Sequence, residues 1–103
     1  MKNRNLPKIF LNQGETSMTK SFDGLIQLIK KDLRREIKVG EIFIFPNKRR
    51  DKIKAIRRLE DGFFIFYRRL DEGTFVIEKR KGYKQISYVD PQKLIESLRL
   101  DEK

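Results

Sequence analysis

One hundred and three residues, 39% of them charged and carrying a net +10, fit a single domain that buries one core beneath a strongly positive surface. With neither Cys nor His, the chain offers no disulfide, no thiolate ligand and no imidazole for metal binding or for proton transfer near neutral pH. No run approaches the roughly 20 apolar residues of a membrane span, and Met1-Lys2-Asn3-Arg4-Asn5-Leu6-Pro7 lacks an apolar signal core, so the reading is a cytoplasmic protein with no membrane partner.

Residues 1–7 are expected to be disordered, and Lys8-Ile9-Phe10-Leu11 reads as a short strand ended by Asn12-Gln13-Gly14. Met18, Phe22, Leu25, Ile26, Ile29 and Leu33 then recur at helical spacing, with Lys20, Asp23, Gln27, Lys30, Lys31 and Arg34 on the other sides. The pattern predicts an amphipathic helix over 18–35, capped by Thr16 or Ser17. Gly24 inside it costs about 1 kcal/mol relative to Ala, which marks either close approach of another element or a tolerated site.

Beyond Val39-Gly40 the period becomes strand-like. Residues 41–46, 52–58, 62–70, 74–79 and 84–88 read as strands, separated by Pro46-Asn47, Glu60-Asp61-Gly62, Asp71-Glu72-Gly73 and Lys81-Gly82. Asp90 as cap, Pro91 at the first helical position and Val89 against Leu94 predict a short C-terminal helix continued by Ile95 and Leu98, frayed over 99–103. The fold class is therefore α+β: an antiparallel β-meander of four to five strands with one long amphipathic helix packed on it, a short N-terminal strand and a short C-terminal helix. Phe63-Phe64-Ile65-Phe66-Tyr67 is apolar throughout, so Phe63, Ile65 and Tyr67 share one sheet face and Phe64 and Phe66 the other. The long helix covers one set, through Phe22, Leu25, Ile26 and Ile29. The other needs a second cover, from within the chain or from a partner protein, which makes Phe64 and Phe66 candidate interface residues.

The stretch 48–58 packs seven basic side chains and one acidic one into eleven residues, between two strands. A rigid, concentrated positive surface is what a polyanion binder needs, because neutralising phosphates releases counterions and supplies sequence-independent affinity. Lys48, Arg49, Arg50, Lys52 and Lys54 are the candidate nucleic-acid contacts, supported by Arg57, Arg58, Arg68 and Arg69. Lys20, in the first turn of the predicted helix, opposes the macrodipole and is a candidate phosphate grip beside Ser21. The plain alternative for all of these is a solvated face. Residues 1–40 and 41–70 each carry a net +5, whereas 71–103 is neutral, the asymmetry that a one-sided binding face would leave.

Three blocks, Met18-Thr19-Lys20-Ser21-Phe22-Asp23-Gly24-Leu25, then the run from Gly40 to Lys54 through Pro46-Asn47-Lys48-Arg49-Arg50-Asp51, then Asp61 to Leu70 followed by Gly73-Thr74-Phe75, resemble one family. It is the small accessory protein, Orf-two or TnpB, of bacterial insertion sequence family sixty-six. The resemblance spans about residues 9–77. It implies participation in transposition beside a separate, larger transposase that carries the strand-transfer chemistry. Where such proteins usually have aromatic residues ahead of the Asp-Gly turn, this chain has Arg57 and Arg58, and it has no Trp.

Acidic residues that would have to converge on divalent cations, Glu41, Asp51, Asp61 and Glu78, lie among cations or in turn positions, so no catalytic or metal site is expected. No phosphate-binding glycine loop, nucleophile elbow or helix-turn-helix spacing is present, and no cofactor or small-molecule substrate is expected. Two functions remain: a non-catalytic binder of DNA, at element ends or transposition intermediates in a nucleoid-associated setting, or a protein–protein adaptor docking on the transposase through an apolar strand face. RNA is a third partner class, for which Phe64, Tyr67 and Tyr83 have no recognised spacing.

Overall fold

A computed structural model describes residues 8–86, so the predicted disorder at 1–7, the C-terminal helix and the frayed end lie outside the described residues. The elements run β1 (Ile9–Asn12), α1 (Phe22–Leu33), β2 (Ile42–Pro46), β3 (Lys52–Leu59), β4 (Gly62–Arg69) and β5 (Tyr83–Ile86). They form one α+β unit with a five-stranded sheet in the order β4-β3-β2-β1-β5. The sheet is mixed. β2, β3 and β4 make the expected antiparallel meander, but β1 lies parallel to β2, with Ile9 level with Ile42, and β5 is antiparallel to β1, with Ile9 level with Ile86. A parallel neighbour needs a crossover of a dozen or more residues, and α1 with its flanking loops supplies it.

Strand alternation sorts the core into two layers. On the helix side, Leu25 and Ile29 of α1 pack with Phe43, Phe45 and Ile56, and Phe10, Phe63, Ile65 and Tyr83 close the margins. Phe10 stacks on Phe43 with ring centroids 4.9 Å apart, an arrangement that adds to area burial. On the other side, Ile9, Leu11, Ile42, Ile44, Ile53 and Ala55 are covered by Leu70 and Phe75, with Phe66, Ile77 and Ile86 against them. The helix thus sits over β2 and β3, and β4 takes part from the edge. Phe22, predicted to pack on β4, is 44% exposed.

Three further expectations are corrected. Residues 74–79 form no strand: Phe75 and Ile77 do alternate inward, but as an irregular strap across the second sheet face, held where Phe75 N donates to Arg50 O and Arg80 N to Gln13 O. The helix is shorter than 18–35 and starts after Ser21, which makes no side-chain cap bond, whereas Ser17 Oγ turns to Thr19. Lys20 therefore precedes the helix, and the macrodipole argument does not apply to it. Finally, the close approach at Gly24 comes from Lys20 itself, whose Cβ would lie 3.2 Å from an added Cβ, and not from another element.

Candidate nucleic-acid interface

The β2–β3 connection is a five-residue turn, Asn47 to Asp51, whose order comes from one side chain. Asn47 Oδ1 accepts from the Asp51 and Lys52 amides at 3.1 and 3.0 Å, and its Nδ2 donates to Asp51 Oδ1 at 2.7 Å. That hydrogen bond first, and then the charges of Lys52 and Arg49, hold the Asp51 carboxyl below the usual carboxylate range. Pro46 closes β2, and Asn47 N bonds back to Lys52 O. Asn is favoured in turns because its short side chain bonds nearby backbone, and here it reaches amides four and five residues on. Asn47 is the functional-site residue that the search for cations passes over, and the Pro-Asn dipeptide is the signal that points to it.

On this turn Lys48 and Arg49 are exposed and Lys52 is half-exposed. With Glu15, Thr16, Ser17, Met18 and Asn47 they line a surface groove of about 460 Å³. Lys52 also borders a second hollow, of about 370 Å³, with Tyr67, Arg69 and Asp71, because Lys52 and Arg69 are cross-strand neighbours.

Arg50 and Lys54 go the other way. Arg50 is only 7% exposed and takes a left-handed backbone, φ 63°, which turns its side chain under the loop. There its guanidinium donates to Gln13 O at 3.0 Å and Gly14 O at 3.3 Å. Burial lowers its pKa, with Glu15 acting in the opposite sense. Lys54 is 8% exposed; its ammonium donates to Met18 O at 2.7 Å and Lys20 O at 2.6 Å and lies 4.8 Å from the Tyr67 ring centroid. Two of the five central candidates thus spend their donors on the chain's own carbonyls and tie the 13–20 segment to the sheet. The sequence reading takes Arg50 and Lys54 as phosphate contacts; the structure places both beneath the surface, with their charges turned to the chain's own carbonyls.

The supporting cations divide by face. Arg58 lies on the helix side, stacked over Phe63 at 4.7 Å, and Arg57 points to the opposite side, facing Phe64 across the strands. Arg57 and Arg68 are half-buried, and Arg57 Nε and Arg68 Nη1 have no hydrogen-bond partner among the described residues. Arg69 is exposed. Lys20 is half-exposed, and its carbonyl serves Lys54. The structure therefore groups Lys48, Arg49, Lys52 and Arg69 along one margin and separates Arg57 and Arg68 from them.

Glu41, Asp51 and Glu78 are each engaged separately. Glu41 receives both guanidinium nitrogens of Arg35, at 2.8 and 3.0 Å, plus the Lys38 amide, and Glu78 pairs with Arg80 at 2.7 Å. Arg80 lowers the Glu78 pKa, chiefly through the hydrogen bond. Among the described residues no three acidic side chains gather as a metal site would require, and no helix is long and apolar enough to cross a membrane.

The family model described as IS66 Orf2 like protein matches residues 7–103. The chain belongs to the IS66 Orf2-like family. Membership implies an accessory role in IS66 transposition, and the family is an accessory one rather than a known catalytic one. No curated protein and no solved structure matches the chain. The three blocks that carry the resemblance map onto the approach to α1, the β2–turn–β3 unit and β4, so in this IS66 Orf2-like chain they converge around the Asn47–Asp51 turn.

Proposed function

We propose that this protein binds the phosphate backbone of DNA during insertion-sequence transposition, through Lys48, Arg49 and Lys52, without catalysing strand transfer. The observation that supports the reading is the pinned turn: three cations are offered beside a groove by a turn whose Asn47, Arg50, Asp51 and Lys52 amides are hydrogen-bonded within it, so little conformational entropy is lost when phosphates dock. Such contacts position a protein on nucleic acid without reading its bases. The family's part in IS66 transposition supports DNA of the element-end or intermediate type as the partner.

Fluorescence anisotropy with labelled duplex, single-stranded DNA and RNA across a salt series tests it. Replacing Lys48, Arg49 and Lys52 together by Ala should weaken duplex binding similarly for unrelated sequences and flatten the slope of log affinity against log salt by about 2–3 units, about 0.9 per lost contact. A second reading, docking on the transposase, is favoured by the exposed Phe64 ring, 55% accessible on β4. A folded triple variant with an unchanged salt slope selects it.

A further inference from the structure

Among the described residues β4 is the last strand of the sheet, leaving an eight-residue edge beyond which no strand lies. Long open edges are templates for pairing, and two of the large exposed apolar side chains, Phe64 at 55% and Tyr67 at 51%, sit on this one. Which peptide groups face outward follows from the ladder. Arg58 N donates to Glu41 O and Asn47 N to Lys52 O, so the even-numbered residues of β3 bond to β2. The odd-numbered ones face β4, as the bond from Leu70 N to Asp51 O shows, and in register they meet the even-numbered residues of β4. The peptide groups of Phe63, Ile65, Tyr67 and Arg69 therefore point away from β3.

We propose that this edge pairs antiparallel with the same edge of a second copy, about a two-fold axis through Ile65, giving an isologous dimer with one continuous ten-stranded sheet. Ladder parity requires odd-numbered residues to meet odd-numbered ones, which excludes any axis that falls between residues. Charge then selects the centre. With the axis at Ile65, Phe63 meets the partner's Tyr67, Phe64 meets the partner's Phe66, and Asp61, exposed in the turn just ahead of β4, comes level with the partner's Arg69. The two-fold repeats each contact, so the ladder is bounded by an ion pair at both ends. An axis at Phe66 would set Asp61 against the partner's Asp71, and one at Phe64 would set it against the partner's Tyr67; neither is complementary. Opposite charges directly across strands stabilise a pair and like charges destabilise it. The dimer leaves the Lys48, Arg49 and Lys52 turn of each copy outside the β4 pairing, on opposite rims of the joined sheet. The pairing stands independently of nucleic-acid binding.

Sedimentation equilibrium near physiological salt tests the proposal, with circular dichroism to confirm that each variant is folded. The unaltered chain should dimerise. Asp61→Arg alone and Arg69→Asp alone should each raise the dimer dissociation constant by about tenfold or more, since two attractive pairs become repulsive. An equimolar mixture of the two single variants should form a heterodimer, because one ion pair is kept with its native sign and the other is rebuilt with reversed sign, and the double variant, in which both pairs are reversed, should self-associate like the unaltered chain. A chain that stays monomeric at all concentrations overturns the proposal and leaves the edge to another partner. A dimer that ignores both reversals, or a mixture that stays monomeric, overturns this register.

Discussion

Within one basic run, Lys48 and Arg49 lie open at a turn while Arg50 and Lys54 are folded under it, and backbone geometry, not charge, makes the difference. Lys48 and Arg49 occupy the tip of a loop that Asn47 holds by three side-chain hydrogen bonds. Arg50 is sent inward by its left-handed φ, and Lys54 lies on the helix face of β3 beside a bare row of carbonyls at Met18 and Lys20. A long aliphatic stem lets a cation pass through an apolar layer and end at acceptors. The outer pair is free to meet a polyanion, whereas the inner pair cross-links chain segments. A cluster of like charge in sequence can therefore carry two unrelated tasks.

That contrast can be broken most strongly at Arg50. Arg50→Ala should lower stability by about 2–3 kcal/mol, because the Gln13 and Gly14 carbonyls lose a charged donor. Arg50→Gly should cost roughly 1 kcal/mol less than Ala, since glycine accepts the left-handed backbone without strain. Equal losses in urea denaturation would remove the backbone from the explanation. Lys54→Met, which keeps the stem and deletes the ammonium, should cost about 1–2 kcal/mol, while Lys48→Ala with Arg49→Ala should stay within about 0.5 kcal/mol of the unaltered chain. A Lys54→Met protein as stable as its parent would place that ammonium with the outer group.

The smallest effect is expected with acid. Asp51 has a folded pKa depressed below its unfolded value, so its contribution is present above the ordinary value of about 3.9 and is lost as pH falls through the folded value. Asp51→Asn should accordingly flatten the acid-side decline in stability measured by chemical denaturation at a series of pH values. An unchanged acid slope would show that the turn does not draw on that carboxylate.

The β2, β3 and β4 strands are legible in the sequence almost to the residue, because alternation, Pro46 and the Glu60-Asp61 turn are local signals acting between adjacent segments. The partnership of β1 is not legible: Ile9 pairs with Ile42 and Ile86, and no local pattern distinguishes a parallel neighbour from an antiparallel one. Alternation at Phe75 and Ile77 is real but serves to roof a sheet face, a use that periodicity cannot tell from ladder pairing. The basic surface was visible as composition, and the opposite sides of Arg57 and Arg58 follow from strand period. The inward turn of Arg50 depends on a single positive φ and on carbonyls some 36 residues away in the chain.

The interior position of β1, between β2 and β5, bears on the order in which the chain comes together. The β2–β3–β4 meander joins neighbours through short turns and can form as soon as those residues are available, since local closure loses little entropy. β1 precedes them all, yet it has no hydrogen-bonding partner until Ile42–Pro46 is in place, and its second flank waits for Tyr83–Ile86. Among the described strands, the first in chain order is thus the one whose two partners both come later in the chain. In the finished protein, opening that detaches β5 and then β1 is an unzipping from one side of the sheet, and it would leave the meander with its basic turn still folded.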